Sequence, residues 1–313
     1  MYFWRKEFVM IPRLLEKTIK DKLNKGKAIL LMGARQVGKT TLIKDLFKGS
    51  DEIIWLNGDE FDVQNLFENI SSTRLKYIFG NKKYVVIDEA QQIKDIGSKL
   101  KLITDELPEI QLIATGSSSF DLANQVNEPL TGRKWEYKMY PVSFAEMVMH
   151  HGLLEEKRLI PHRLVYGYYP DVVNNPGDEK EILKQLSDSY LYKDILMWEH
   201  IKKPDKLLKL LQAIAFQIGN QVSYSELGQI CGIDSKTVEK YIVLLEQCFV
   251  IFRLGSFSRN LRNELKSSRK IYFYDNGIRN AIIADFSLAE NRHDIGALWE
   301  NYIISERHKK IEY

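Results

Sequence analysis

Lys27-Ala28-Ile29-Leu30-Leu31-Met32 runs directly into Gly33-Ala34-Arg35-Gln36-Val37-Gly38-Lys39-Thr40-Thr41, and this junction decides the fold. A short apolar run broken by glycine predicts a buried strand. Leu42, Ile43, Leu46 and Phe47 then recur on one helix face before Gly49. Between them, Gly33-x-x-x-x-Gly38-Lys39-Thr40 matches the phosphate-binding loop in full. Backbone N–H groups of such a turn point into one concavity and the following helix dipole adds to it, so phosphates can be held without a side-chain cage. Gly33, Ala34, Arg35, Gln36, Val37, Gly38, Lys39, Thr40 and Thr41 are the candidate ATP contacts. Lys39 would neutralise the β- and γ-phosphates, and the Thr40 hydroxyl would bind Mg²⁺. The bland alternative is a structural glycine turn.

Outward from the loop, apolar strands are expected at Ile53-Ile54-Trp55-Leu56, Tyr84-Val85-Val86-Ile87 and Ile110-Gln111-Leu112-Ile113-Ala114. Helical patterns separate them, such as Ile93, Ile96, Leu100 and Ile103. Strands alternating with helices predict an α/β fold with a parallel sheet covered on both faces. Upstream, Leu15, Ile19 and Leu23 predict an amphipathic helix within 11–25, and residues 1–10 read as an extension. Asp88 and Glu89 follow the third strand. Asp88 would complete the Mg²⁺ shell and Glu89 would polarise the attacking water, whereas adjacent acids elsewhere often cap a helix. Ser117, after the next strand, could orient water or sense the γ-phosphate, or only cap a helix starting near Phe120. Arg133 is a candidate for stabilising transition-state charge in its own subunit or a neighbour, against a solvated surface arginine.

Beyond residue 150 the strands give out, and Leu207, Leu208, Leu210, Leu211, Ile214 and Ile218 predict packed helices. The expected organisation is a nucleotide-binding domain at 11–150, a helical lid at 151–220, and 221–313 as a winged helix-turn-helix with the start of a further module. Gly232-Ile233-Asp234-Ser235 supplies the turn between two short helices, the second carrying Val238, Ile242, Leu245 and Phe249 on one face. After it, Arg253, Arg259, Arg262, Lys266, Arg269 and Lys270 stand against Glu264 alone. Such a stripe could contact a DNA backbone or simply be a solvated loop.

The 313 residues are 44% hydrophobic and 28% charged, which excludes disorder and collagen-like structure and suffices for about two domains. A formal charge of +3 gives no global pull toward nucleic acid, so any basic site must be local. Cys231 and Cys248 lack metal-ligand spacing and read as core thiols, while His150 and His151 read as surface residues. Met1-Tyr2-Phe3-Trp4 meets charge at once and no apolar run reaches ~18 residues, so neither export nor a membrane partner is expected and a cytoplasmic location is.

The loop, Ile87-Asp88-Glu89-Ala90-Gln91, Thr115-Gly116-Ser117-Ser118, Leu130-Thr131-Gly132-Arg133 and Tyr140-Pro141-Val142-Ser143-Phe144-Ala145-Glu146 together resemble a prokaryotic AAA-superfamily ATPase family. Gly167-Tyr168-Tyr169-Pro170, the Lys270–Gly277 segment and Leu298-Trp299-Glu300-Asn301 extend the likeness along nearly the whole chain. The resemblance implies an AAA-type core, a helical lid, a winged helix, a C-terminal module similar to restriction-endonuclease folds, and possible rings. The family's pattern continues past Tyr313, where that module's carboxylate-and-lysine strands would lie, so no nuclease activity is expected of these residues. Glu300 and Glu306 are expected on a solvated helix face, and Asp275 as a helix cap. The expected activity is Mg²⁺-dependent ATP hydrolysis coupled to the winged-helix region. The rivals are a slow nucleotide-gated switch and, less favoured, a small-molecule kinase. Asn81-Lys82-Lys83-Tyr84 lacks the acid that guanine reading needs.

Overall fold

The computed structural model describes residues 10–117, 129–189, 203–255 and 269–313. They form two compact units. One holds Leu15–Tyr140 with Val243–Phe249 and Glu312–Tyr313; the other holds the residues up to Leu14, Pro141–Ile242 and Val250–Ile311. The division falls at Tyr140, and most of the expected lid and winged-helix segments share one unit, with Val243–Phe249 and Glu312–Tyr313 in the other.

The first unit is a five-stranded parallel sheet, β1 (Ala28–Gly33), β2 (Ile53–Asn57), β3 (Tyr84–Asp88), β4 (Gln111–Gly116) and β5 (Lys134–Met139), in the order β2-β3-β4-β1-β5. Every residue of β1 and β4 is buried, as continuous apolar runs in a doubly covered sheet require. The register pairs Leu31 with Thr115 and Ile87 with Ala114, so the carboxyl ends of β1, β4 and β3 finish side by side. Helices α1 (Leu15–Lys22), α2 (Lys39–Leu46), α3 (Phe61–Phe67), α4 (Ser72–Phe79) and α5 (Ile96–Glu106) complete the unit. Strand β5 was not expected. Its sequence, Lys-Trp-Glu-Tyr-Lys-Met, lies at the sheet edge and is mostly half-buried, so it lacks an apolar run.

In the second unit, α6 (Phe144–His151), α7 (Leu153–Tyr166), α8 (Pro170–Asn174), α9 (Glu179–Ser189) and α10 (Pro204–Phe216) precede strand β6 (Gln221–Val222). Then come α11 (Tyr224–Cys231), α12 (Ser235–Gln247), β7 (Ile251–Leu254), β8 (Arg269–Phe273), α13 (Asn276–Ile282) and α14 (Ile295–Glu312). The three strands form an antiparallel sheet ordered β6-β8-β7. Ser143-Phe144-Ala145-Glu146 is a capping box: Ser143 Oγ accepts from Glu146 N at 3.2 Å, and Glu146 Oε2 accepts from Ser143 N at 2.8 Å. Glu146 also accepts from Arg13 Nε at 3.0 Å and from Leu14 N at 2.9 Å, which ties residues 10–14 to this unit. Asp275 caps α13 by accepting from Ile278 N at 3.1 Å.

Several surface expectations give way to packing. His151 is half-buried and its Nε2 lies 2.8 Å from the fully buried Glu156, so it is no free surface histidine. Glu300 accepts from Tyr272 at 2.7 Å and Lys270 at 2.9 Å, and Glu306 accepts from Phe144 N at 2.8 Å. Glu300 stays partly solvated, its side chain 41% exposed, whereas Glu306 is mostly buried at 16%. Both cysteines are buried thiols, and burial pushes the Cys231 thiol up.

Candidate functional site

Everything at the site hangs from the carboxyl ends of three adjacent strands. The loop leaves β1 at Gly33, where a Cβ would lie 2.1 Å from the Met139 carbonyl oxygen of β5, so only glycine permits this exit. It enters α2 through Gly38, the helix N-cap. Lys39 is 5% exposed, and its ammonium donates to the carbonyls of Gly33 and Ala34, each at 2.8 Å.

The strand beside β4 delivers the acids. Asp88 is 7% exposed and accepts from the Thr40 hydroxyl at 2.9 Å. Its other oxygen accepts from the Thr115 hydroxyl, which in turn accepts from the Glu89 N–H at 3.2 Å. Thr115 therefore has its proton committed to Asp88 and its lone pair to the backbone of Glu89. Glu89 stands in the left-handed region, at φ 47 and ψ 45, a placement that costs a non-glycine residue about 1–3 kcal/mol and concentrates at functional sites. Gly58, at the end of β2, makes room: a Cβ there would lie 2.4 Å from the Glu89 carbonyl oxygen. Gln91 Nε2 donates to Glu89 Oε2 at 2.6 Å and to Ser117 Oγ at 3.0 Å. Partial burial, then the Glu89 carboxylate, pushes the carboxyl of Asp59 upward, with Arg35 acting the other way.

The donor set fits a hard divalent cation. Such an ion takes oxygen ligands in a near-octahedral shell at about 2.1 Å, which puts neighbouring ligand oxygens about 3.0 Å apart. Thr40 Oγ1 and Asp88 Oδ2, 2.9 Å apart, meet that spacing.

Lys39, Thr40, Asp88, Glu89 and Ser117 thus converge with the loop Gly33–Thr41. Arg133 does not. Its carbonyl accepts from Ala28 N at 2.9 Å, which places it at the amino ends of β1 and β5, and its side chain pairs with Asp105 at 2.5 Å. The loop leaves the other end of β1, six residues or roughly 20 Å away, so Arg133 cannot serve the site of its own chain. Sequence reading missed Gln91 and Asp59 as members of the site, and named Thr115 only within a segment that carries the family likeness. Thr115 carried a signal, since a hydroxyl at the end of a strand beside the acids can reach them; Gln91 and Asp59 depend on turns with no local signature.

Of the basic stripe, Arg253 donates to the Tyr224 hydroxyl at 3.0 Å, Lys270 pairs with Glu300 at 2.9 Å and Arg269 is exposed. Two of these three cations thus make contacts within the fold. Arg259, Arg262 and Lys266 lie outside the described residues. Among the described residues no helix is long and apolar enough to cross a membrane, and no cluster of His, Cys, Asp and Glu could hold a metal by itself.

Comparison with known proteins agrees with this geometry. Residues 25–148 match the family model described as an AAA domain, and 157–289 match a domain of unknown function. An uncharacterized protein of Haemophilus influenzae is 26% identical over 91% of this chain and 70% of its own length. One from Methanocaldococcus jannaschii is 23% identical over 97% and 71%. For one from Mycobacterium tuberculosis the figures are 24%, 91% and 63%. The chain thus spans about two thirds of the length of these relatives. The Walker-type ATPase of Pyrococcus abyssi shares the fold at a TM-score of 0.61 and 15% identity, covering 88% of this chain and 96% of that one. Residues 25–148, with their phosphate-binding loop and parallel sheet, are thus similar to AAA domains, and the chain shares its fold with a Walker-type ATPase.

Proposed function

We propose that the sheet unit binds ATP with Mg²⁺ and hydrolyses the β–γ bond. The observation that carries this reading is the Thr40–Asp88 contact at 2.9 Å, which joins the loop to the carboxylate strand at a spacing suited to a divalent cation. The loop N–H groups and the Lys39 ammonium bind the phosphates, and Thr40 and Asp88 hold the metal. Mg²⁺, when bound, neutralises charge developing on the phosphate oxygens. Glu89 takes the proton of the attacking water as the new P–O bond forms and ADP departs with the bridging oxygen. Ser117, at the strand end between loop and acids, orients the reacting groups.

Arg133 acts, on this reading, on the nucleotide of a neighbouring copy, because its own site lies at the other end of the sheet. We also infer that α10, β6, α11, α12 and the β7–β8 pair, in that order, are a winged helix-turn-helix to which nucleotide state is coupled. Duplex contact would rest on Arg269 with Arg259, Arg262 and Lys266.

Equilibrium binding of a fluorescent ATP analogue tests the first step. Lys39→Ala should remove measurable binding, since it deletes the buried cation facing the phosphates. Wild-type affinity in that variant would overturn the reading.

A further inference from the structure

Gln91 lies in a single 3₁₀ turn, Ala90–Gln92, that opens directly after Glu89. Its Nε2 has two N–H groups, and both are committed: one to Glu89 Oε2 at 2.6 Å, the other to Ser117 Oγ at 3.0 Å. The other end of the same amide is treated quite differently, for Oε1 is buried and no donor among the described residues reaches it. Turning the amide over would set its carbonyl against the Glu89 carboxylate, two acceptors at hydrogen-bond distance. The orientation is therefore dictated by Glu89.

The acid it clamps stands on a left-handed backbone, and its carboxylate is carried by a flexible side chain. Asp88 is fixed by two hydroxyls, whereas the hydrogen bond described at the Glu89 carboxylate comes from Gln91. We propose that Gln91 is a positioning residue for Glu89: it holds the carboxylate in place for proton abstraction and ties it to Ser117 at the end of β4. Gln91 acts through Glu89 and does not touch the nucleotide. This rests on the ATPase reading above, with Glu89 as the base.

The test compares steady-state ATP hydrolysis and ATP affinity in the wild type, Gln91→Met, Glu89→Gln and the double variant. Methionine keeps the length and bulk of the side chain and removes both N–H groups. Loss of alignment of a catalytic group costs about 10- to 100-fold in rate. Gln91→Met should accordingly lower kcat about 10-fold or more and leave KM and ATP affinity within about twofold. Adding Gln91→Met to Glu89→Gln should lower the residual rate no further, because there is no base left to position. Gln91→Glu, the same shape with a carboxylate facing Glu89, should be at least as slow as Gln91→Met. Unchanged ATP affinity reports an intact fold in each variant. Wild-type kcat in Gln91→Met alongside lost turnover in Glu89→Gln overturns the positioning role alone. An equal further loss in the double variant means that Gln91 acts independently of Glu89 and also overturns it. Wild-type turnover in Glu89→Gln overturns the ATPase reading itself, and this proposal with it.

Discussion

Both units bury charge, but they satisfy it differently. In the helical unit Arg279 and Arg292, 1% and 6% exposed, converge on Asp294: Arg279 Nη1 at 2.5 Å and Arg292 Nε at 2.8 Å. Arg292 reaches Asp285 as well, at 3.1 Å, and Asn280 accepts from both arginines. In the sheet unit Lys39 donates to two loop carbonyls and Asp88 accepts from two hydroxyls. Carbonyls and hydroxyls orient an ion through their dipoles. Cations matched to carboxylates make a scaffold; ions held by dipoles at the carboxyl ends of parallel strands remain available to a ligand.

The largest effect that could break this contrast concerns Arg133, whose partner Asp105 makes it look like scaffold although the proposal places it in chemistry on a neighbouring copy. Arginines that meet transition-state phosphate contribute ~10³–10⁵ in rate. Arg133→Ala should therefore lower turnover by about 10³ with little change in ATP affinity. Mixed with Lys39→Ala subunits, it should regain activity. Turnover equal to wild type would return Arg133 to the scaffold.

Asp294 sharpens the contrast from the other side. Burial alone would push its carboxyl up, but hydrogen bonds from Arg292 and Arg279 outweigh burial and hold it at about 2. An unfolded aspartate titrates near ~3.9, so this group's stabilisation is fully present above about pH 4 and is lost as pH falls through about 2. Asp294→Ala leaves the buried Arg279 without its carboxylate and Arg292 with Asp285 alone, and should cost about 3 kcal/mol at neutral pH, the low end for a broken buried pair because the carboxylate is 29% exposed. Urea midpoints at pH 7 and pH 3 check both statements: the variant should lose less stability than wild type between them. Its ATP affinity should not change.

The smallest expected effect is electrostatic. If Arg259, Arg262 and Lys266 each neutralise a duplex phosphate, replacing all three with Gln should reduce the log–log salt slope of DNA binding by up to about 3. No duplex binding by the wild type at low salt would remove DNA from the account, leaving the ATPase reading as it stands.

The same contrast explains what could be read in the sequence. The loop, Asp88 and Glu89 are legible because strand, turn and helix are contiguous, so residue spacing alone places their groups. Arg133 is not, because the edge strand that fixes which end of the sheet it occupies alternates charge with half-buried aromatics and offers no apolar run. His151 with Glu156, Lys270 with Glu300 and Arg279 with Asp294 are invisible for another reason: charged side chains read as solvated until a tertiary partner is known. Gln91 looks like one polar residue in a loop, and only the left-handed turn at Glu89 brings its amide onto the acid and onto Ser117.

The central claim, that the loop and the β3 acids form one hydrolytic centre, is tested most directly by phosphate release from Mg²⁺-ATP in wild type and Glu89→Gln, with ATP affinity measured on the same preparations. Glutamine keeps shape and polarity but cannot accept the water proton. The account predicts that ATP affinity is preserved while turnover falls by about 10²–10⁴, the range of general acid–base catalysis. Hydrolysis at the wild-type rate in Glu89→Gln would contradict it.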